Sequence, residues 1–154
     1  MRAAAMAWVV ASASMAATVT REGLSSFVAQ SPRAKSQEEW FKLMHPSFEV
    51  ADPAYLAGFQ GPERLGLFYN TYIATTSLYF VELKQFVDLD AMRVVRLVNI
   101  SIESKTSQGV GMFMPAHIVY DVVKDDAGEL KMTALRAYWT PLGTVRALSR
   151  AEKH

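Results

Sequence analysis

The period of the apolar residues changes near Leu78, and this change limits the fold more than any other feature of the chain. Before it, apolar side chains recur at helical spacing. After it, they alternate with polar ones, as strands with one covered face do. A chain with helices first and strands second folds as α+β, with the N-terminal helices packed on a curved, mainly antiparallel sheet. A sheet curved under helices encloses a concavity where a ligand can sit.

The local signals fill in this outline. Thr20 is placed to cap a helix through "REGLSSFVAQ", which Pro32 ends. Ser36 caps "QEEWFKLM", with Glu38 and Glu39 at the positive end of the helix dipole. Trp40, Phe41, Leu43 and Met44 form its apolar stripe, and Pro46 is expected to close it. Residues 47–51 read as a short strand. Pro62 suits the first turn of a third helix, in which Leu65, Phe68, Tyr69 and Tyr72 share a face. The expected helices span residues 20–31, 37–45 and 62–75. Four strands follow, "YFVELKQFVDLD", "RVVRLVNISIES", "GVGMFMPAHIVYDVVK" and "ELKMTALRAYW". "SKTSQG" and "KDDAGE" are the turns that join the last three.

Composition removes several functions. The 154 residues suit one domain, expected over 20–141 between an Ala-rich tail at 1–19 and a C-terminal tail at 142–154. No cysteine is present, so disulfides, thiolate nucleophiles and Cys-zinc sites are excluded. The three histidines, His45, His117 and His154, lack metal-ligand spacing, and no metal is expected. The net charge of +1 is scattered, which argues against nucleic acid. The apolar run in "MRAAAMAWVVASASMAA" is too short to span a bilayer. It reads as an Ala-rich tail of a cytoplasmic protein, or as a weak signal peptide of an exported form. No membrane partner is expected.

Asp52 stands between the short strand and the third helix, in "FEVADPAYLAGFQGPERLGLFYN". An Asp before a Pro commonly starts a turn. Flanked by Val50 and Phe59, it could instead be a desolvated carboxylate of raised basicity. In "MFMPAHIVYDVV", alternation puts Phe113, Pro115, His117 and Val119 on one face. If that face lines the cavity, a neutral His117 can donate to a ligand oxygen or to Asp52. The other face, with Met114, Ala116, Ile118 and Tyr120, would then be the outer one and a homodimer interface. Arg136 reads as a structural, salt-bridged residue.

"VADP", "GPERLGLFYN" and the terminal hairpin ending "LRAYW" together resemble the NTF2-like superfamily. Within it, the chain is most similar to the ketosteroid isomerases and their SnoaL-like relatives. The resemblance implies a cone fold and places Asp52 where those isomerases carry their general base. Phe68 and Trp139 fall where apolar pocket walls stand. Phe27 takes the place of the tyrosine donor on the first helix, and His117 lies near the second donor position. Tyr55 and Phe59 complete the expected ligand-binding set. The implied function is proton transfer, without cofactor, on a small apolar carbonyl compound such as a steroid or polyketide, as an isomerase, dehydratase or cyclase. The alternative is a non-catalytic ligand-binding or assembly module of the same fold.

Overall fold

The computed structural model describes residues 18–105 and 111–139. The two expected tails, except for Val19 and Thr18, and most of the "SKTSQG" turn lie outside the described residues.

Helix α1 (Arg21–Val28) begins where the Thr20 hydroxyl accepts the Gly23 N–H at 3.0 Å. A short 3₁₀ turn, Ser31–Arg33, contains Pro32. Helix α2 (Gln37–Lys42) starts at Ser36, whose Oγ accepts the Glu39 N–H at 3.1 Å. These side chains satisfy N–H groups that the first helical turn leaves unpaired. Helix α3 (Pro62–Phe68) follows Gly61 at φ +79°, a value that favours glycine, and continues as a wider π-type turn over Tyr69–Ile73.

Pro46 does not close a helix. Strand β1 runs Met44–Ala51 and contains it, within the register shift between Met44 and Glu49. A proline lacks the donor a regular ladder needs, and an irregular stretch tolerates it. The remaining strands are β2 (Phe59–Gln60), β3 (Thr76–Asp88), β4 (Arg93–Ser104), β5 (Gly111–Lys124) and β6 (Leu130–Tyr138). They form one curved sheet in the order β2-β1-β6-β5-β4-β3, antiparallel throughout except that β1 pairs with β6 in parallel.

The helices cover one face of this sheet. Leu24, Phe27 and Val28 of α1, Trp40 of α2, and Leu65 and Phe68 of α3 share a core with Val94, Val98, Ile100, Met114 and Ile118. Trp40 is fully buried, with ring centroids 5.7 Å from Phe48, 6.1 Å from Phe68 and 5.7 Å from Tyr69. Its indole N–H donates to the buried Ser31 hydroxyl at 3.1 Å.

On β5 the expected alternation holds with its faces exchanged. Met114, Ala116, Ile118 and Tyr120 are buried under the helices, whereas Phe113, Pro115 and His117 are exposed on the convex side. The face expected to be a dimer interface is therefore core. Two ion pairs across the middle strands tie the convex side: Asp121 accepts from Arg93 at 2.5 Å and also pairs with Arg136.

The Trp40–Ser31 bond predicts a specific coupling. Trp40→Phe and Ser31→Ala each strand one buried polar partner, and each should cost about 1–3 kcal/mol from that cause. The double variant leaves neither partner stranded, so its cost in urea unfolding should fall below the sum of the two singles.

Candidate active site

Strand parity brings two distant residues together. On β1 the inward positions are Phe48 and Val50, and Asp52 is the next. On β6 they are Leu135 and Ala137, and Trp139 is the next. The parallel register pairs Val50 with Leu135 and Ala51 with Arg136, and the Ala54 N–H continues the contact by donating to the Ala137 carbonyl at 2.7 Å. Asp52 and Trp139 thus emerge side by side, and the Trp139 indole N–H donates to Asp52 Oδ1 at 2.6 Å. The Asp52–Pro53 peptide is cis.

Burial pushes the Asp52 carboxyl above the usual carboxylate range, and the Trp139 hydrogen bond holds it down in part. A carboxylate in this setting is more basic than one in water. It can accept a proton from a ligand and hold it.

A second polar group stands on the same sheet face, and the sequence analysis did not single it out. Arg96 is 9% exposed between the buried Val94 and Val98, and its Nε donates to Glu82 Oε2 at 2.7 Å. Tyr120 is 2% exposed. Burial pushes its hydroxyl up to about 12; Arg96 opposes this through its charge and a hydrogen bond, while the Asp52 and Glu82 charges add to it. Tyr120 thus feels Arg96 on one side and Asp52 on the other. The signal was present in "RVVRLVNISIES": Val94, Arg96, Val98, Ile100 and Ile102 share one face, and a single arginine interrupts an otherwise apolar row.

The other expected site residues fall in different environments. Phe27 and Phe68 are buried in the core, at 9% and 5% exposure. Phe59 is half-buried, 5.4 Å from the Phe68 ring, with the Arg64 guanidinium 5.6 Å above it. Tyr55 is 60% exposed. His117 faces away from the helices, so the structure does not bring it to Asp52. Two clefts are described, one of about 270 Å³ beside Thr76, Ser77 and Lys105, the other of about 400 Å³ beside Arg33, Glu39 and Lys42. Neither is lined by any of these expected residues. Among the described residues, no three His, Cys, Asp or Glu side chains are grouped to hold a metal ion, and no helix is long and apolar enough to cross a membrane.

No protein-family profile matches the chain, and no curated protein sequence matches it. Solved structures do. The Δ5-3-ketosteroid isomerase of Mycobacterium sp. superposes with a TM-score of 0.65 at 23% identity, over 79% of this chain and 94% of the isomerase. A Mycobacterium tuberculosis protein in complex with estradiol-17β-hemisuccinate gives 0.63 at 22% identity, over 78% and 93%. A SnoaL-like polyketide cyclase from Jannaschia sp. CCS1 gives 0.58 at 14% identity, over 77% and 86%. The chain has the NTF2-like fold.

Within this NTF2-like cone, the environment of Asp52 has a consequence for stability. Its pKa is raised on folding, so the folded state holds the proton more tightly than the unfolded chain does. Above the folded pKa the buried charge opposes folding, and this cost is relieved as pH falls through that value. Asp52→Asn should therefore raise the melting temperature at neutral and alkaline pH, and the gain should shrink on acidification. Trp139→Phe removes the group that holds the pKa down, so Asp52 should titrate at higher pH, followed by carboxyl ¹³C chemical shift.

Proposed function

We propose that this protein catalyses proton transfer on a small apolar carbonyl compound, with Asp52 as the general base. The observation that carries the reading is Asp52 itself: a carboxylate on the helix-covered face, raised in basicity by burial and oriented by the Trp139 indole. In the reaction it takes a proton from a carbon next to the carbonyl. The C–H electron pair becomes a C=C bond, and the carbonyl π pair moves onto oxygen. Return of the proton at another carbon isomerises the substrate; loss of a leaving group dehydrates it, and attack on an internal electrophile cyclises it. None of these steps requires a cofactor.

The nature of the ligand draws support from the neighbours. One was solved with an estradiol ester, and another is a computationally designed 17-OHP binder. We extend that chemistry, a fused-ring apolar molecule carrying oxygen, to this chain, with Trp139, Phe59 and Phe68 as its apolar surroundings. His117 is given no part in it.

A second reading, an NTF2-like binding module without turnover, is favoured by one observation. The resemblance sets Phe27, which has no proton to give, in the place of the isomerases' donor. The two readings separate on one variant. Asp52→Asn keeps the shape and removes the base. Turnover of a carbonyl ligand found by thermal-shift screening should fall about 10²–10⁴-fold while affinity is retained. Unchanged turnover, or ligands that bind without ever reacting, would establish the binding module.

We also propose a homodimer through the convex sheet face, where Tyr79, Val81, Phe113 and Tyr138 are each about half exposed or more. Apolar area of this extent commonly marks an interface. Sedimentation at micromolar concentration should give a dimer, and Val81→Glu with Phe113→Glu should give a folded monomer. A wild-type monomer would rule the dimer out.

A further inference from the structure

The proton-transfer reading leaves the negative charge on the substrate oxygen without a receiver, since Phe27 has no donor to offer. Electrostatic stabilisation of such an oxyanion is usually the largest single contribution to catalysis of this kind. A receiver must stand on the same sheet face as Asp52, carry N–H or O–H groups, and be held in place.

Arg96 meets these conditions. It belongs to the inward row of β4, on the face the helices cover. The sheet register aligns it with Ile118, and Ile118 with Ala137. Asp52 follows Ala51, whose partner is Arg136, so it lies beside Ala137 at the far end of the same row. Only Ala137 and Ile118 separate the two charged residues. At a strand spacing of about 4.8 Å, three steps across the sheet span roughly 14 Å.

The guanidinium is also held. Its Nε is fixed by Glu82, whose side chain is 40% exposed at the edge strand, and the Tyr120 hydroxyl lies against it from β5. A partner so open to water neutralises an arginine only in part. A purely structural role would be served as well by an apolar residue, because an arginine within an apolar row carries a desolvation cost.

We propose that Arg96 binds the ligand's oxygen and receives the negative charge that develops when Asp52 removes the proton, with Glu82 and Tyr120 positioning its guanidinium. The electron balance is that of the proposed function: the charge leaving Asp52 appears on the oxygen, is met by the guanidinium N–H groups, and returns when the carbon is reprotonated. This rests on the reading of the Asp52 face as the ligand site. It adds the residue that distinguishes an oxygen-bearing ligand from a plain hydrocarbon.

The experiment compares naphthalene, 2-naphthol and the more acidic 6-cyano-2-naphthol, titrated into the whole protein. The Trp139 indole ¹⁵N–¹H resonance, assigned through Trp139→Phe, reports occupancy beside Asp52. In the wild type, the affinity should rise from naphthalene to the acidic naphthol by about 10-fold or more, as expected for a hydrogen bond to a charged group. Arg96→Met should bind all three within about twofold of one another, with naphthalene affinity unchanged. Arg96→Lys keeps the charge without the planar fork and carries the same test if Arg96→Met does not fold; it should retain only part of the gradient. Tyr120→Phe should weaken the gradient and leave naphthalene binding alone. If all three probes shift Trp139 and the gradient survives in the Arg96 variants, the inference is overturned and the ligand site stands. If no probe shifts Trp139 in the wild type, the ligand site fails, and the inference with it.

Discussion

The parallel pairing of β1 with β6 is the contact on which the remaining architecture turns. It joins an element from the helical first half to the last strand of the hairpin array. It also decides which residues meet. Asp52 and Trp139 are separated by 87 positions, yet each is the next inward residue beyond its strand's regular pairing, and the register sets them in hydrogen-bond contact. A slip of one residue would turn one of them to the convex side, because side-chain direction alternates along a strand.

The concave face carries its polar groups against the prevailing physics. Asp52, Arg96, Glu82 and Tyr120 stand among valines, isoleucines and alanines that bury well. A buried charge is tolerated when it is paired and hydrogen-bonded. Here each group has a partner: Trp139 for Asp52, Glu82 and Tyr120 for Arg96. The convex cluster of Arg93, Asp121 and Arg136 differs in kind. Burial raises the Asp121 carboxyl, but the hydrogen bonds and charges of Arg93 and Arg136 together outweigh it and hold it below the usual range, and water screens the trio. The two sets show how the same residue types act as surface fasteners on one side and as a charged pair of poles on the other.

Most of the fold was legible because period and capping are local properties. Thr20, Ser36 and Pro62 mark their helices, and the four long strands follow from alternation. Pro46 was misleading because a proline ends a helix and fits an irregular strand for the same reason, its missing donor. The orientation of β5 was not legible at all. Alternation sorts Phe113, Pro115 and His117 from Met114, Ala116 and Ile118, but both sets are largely apolar, so neither announces itself as the inside. Which face is covered depends on where the helices land, a long-range property. In the candidate site, Asp52 and Trp139 could be placed through motif resemblance. Arg96 stands out in the sequence as the single charge in an apolar row, but that the row faces inward was not legible there.

The exchange of faces on β5 also changes what the chemistry can be. With His117 inside, an imidazole would share the covered face with Asp52 and offer a second group for proton exchange. With Tyr120 and Arg96 inside, the same face carries instead a hydroxyl pushed up to about 12 and a guanidinium. The basicity of the Asp52 carboxylate is set by burial and limited by Trp139. In the proposed reaction the tasks are separate: Arg96 receives the charge on oxygen and Asp52 carries the proton. That division suits reactions in which a proton leaves and returns while the charge at oxygen rises and falls.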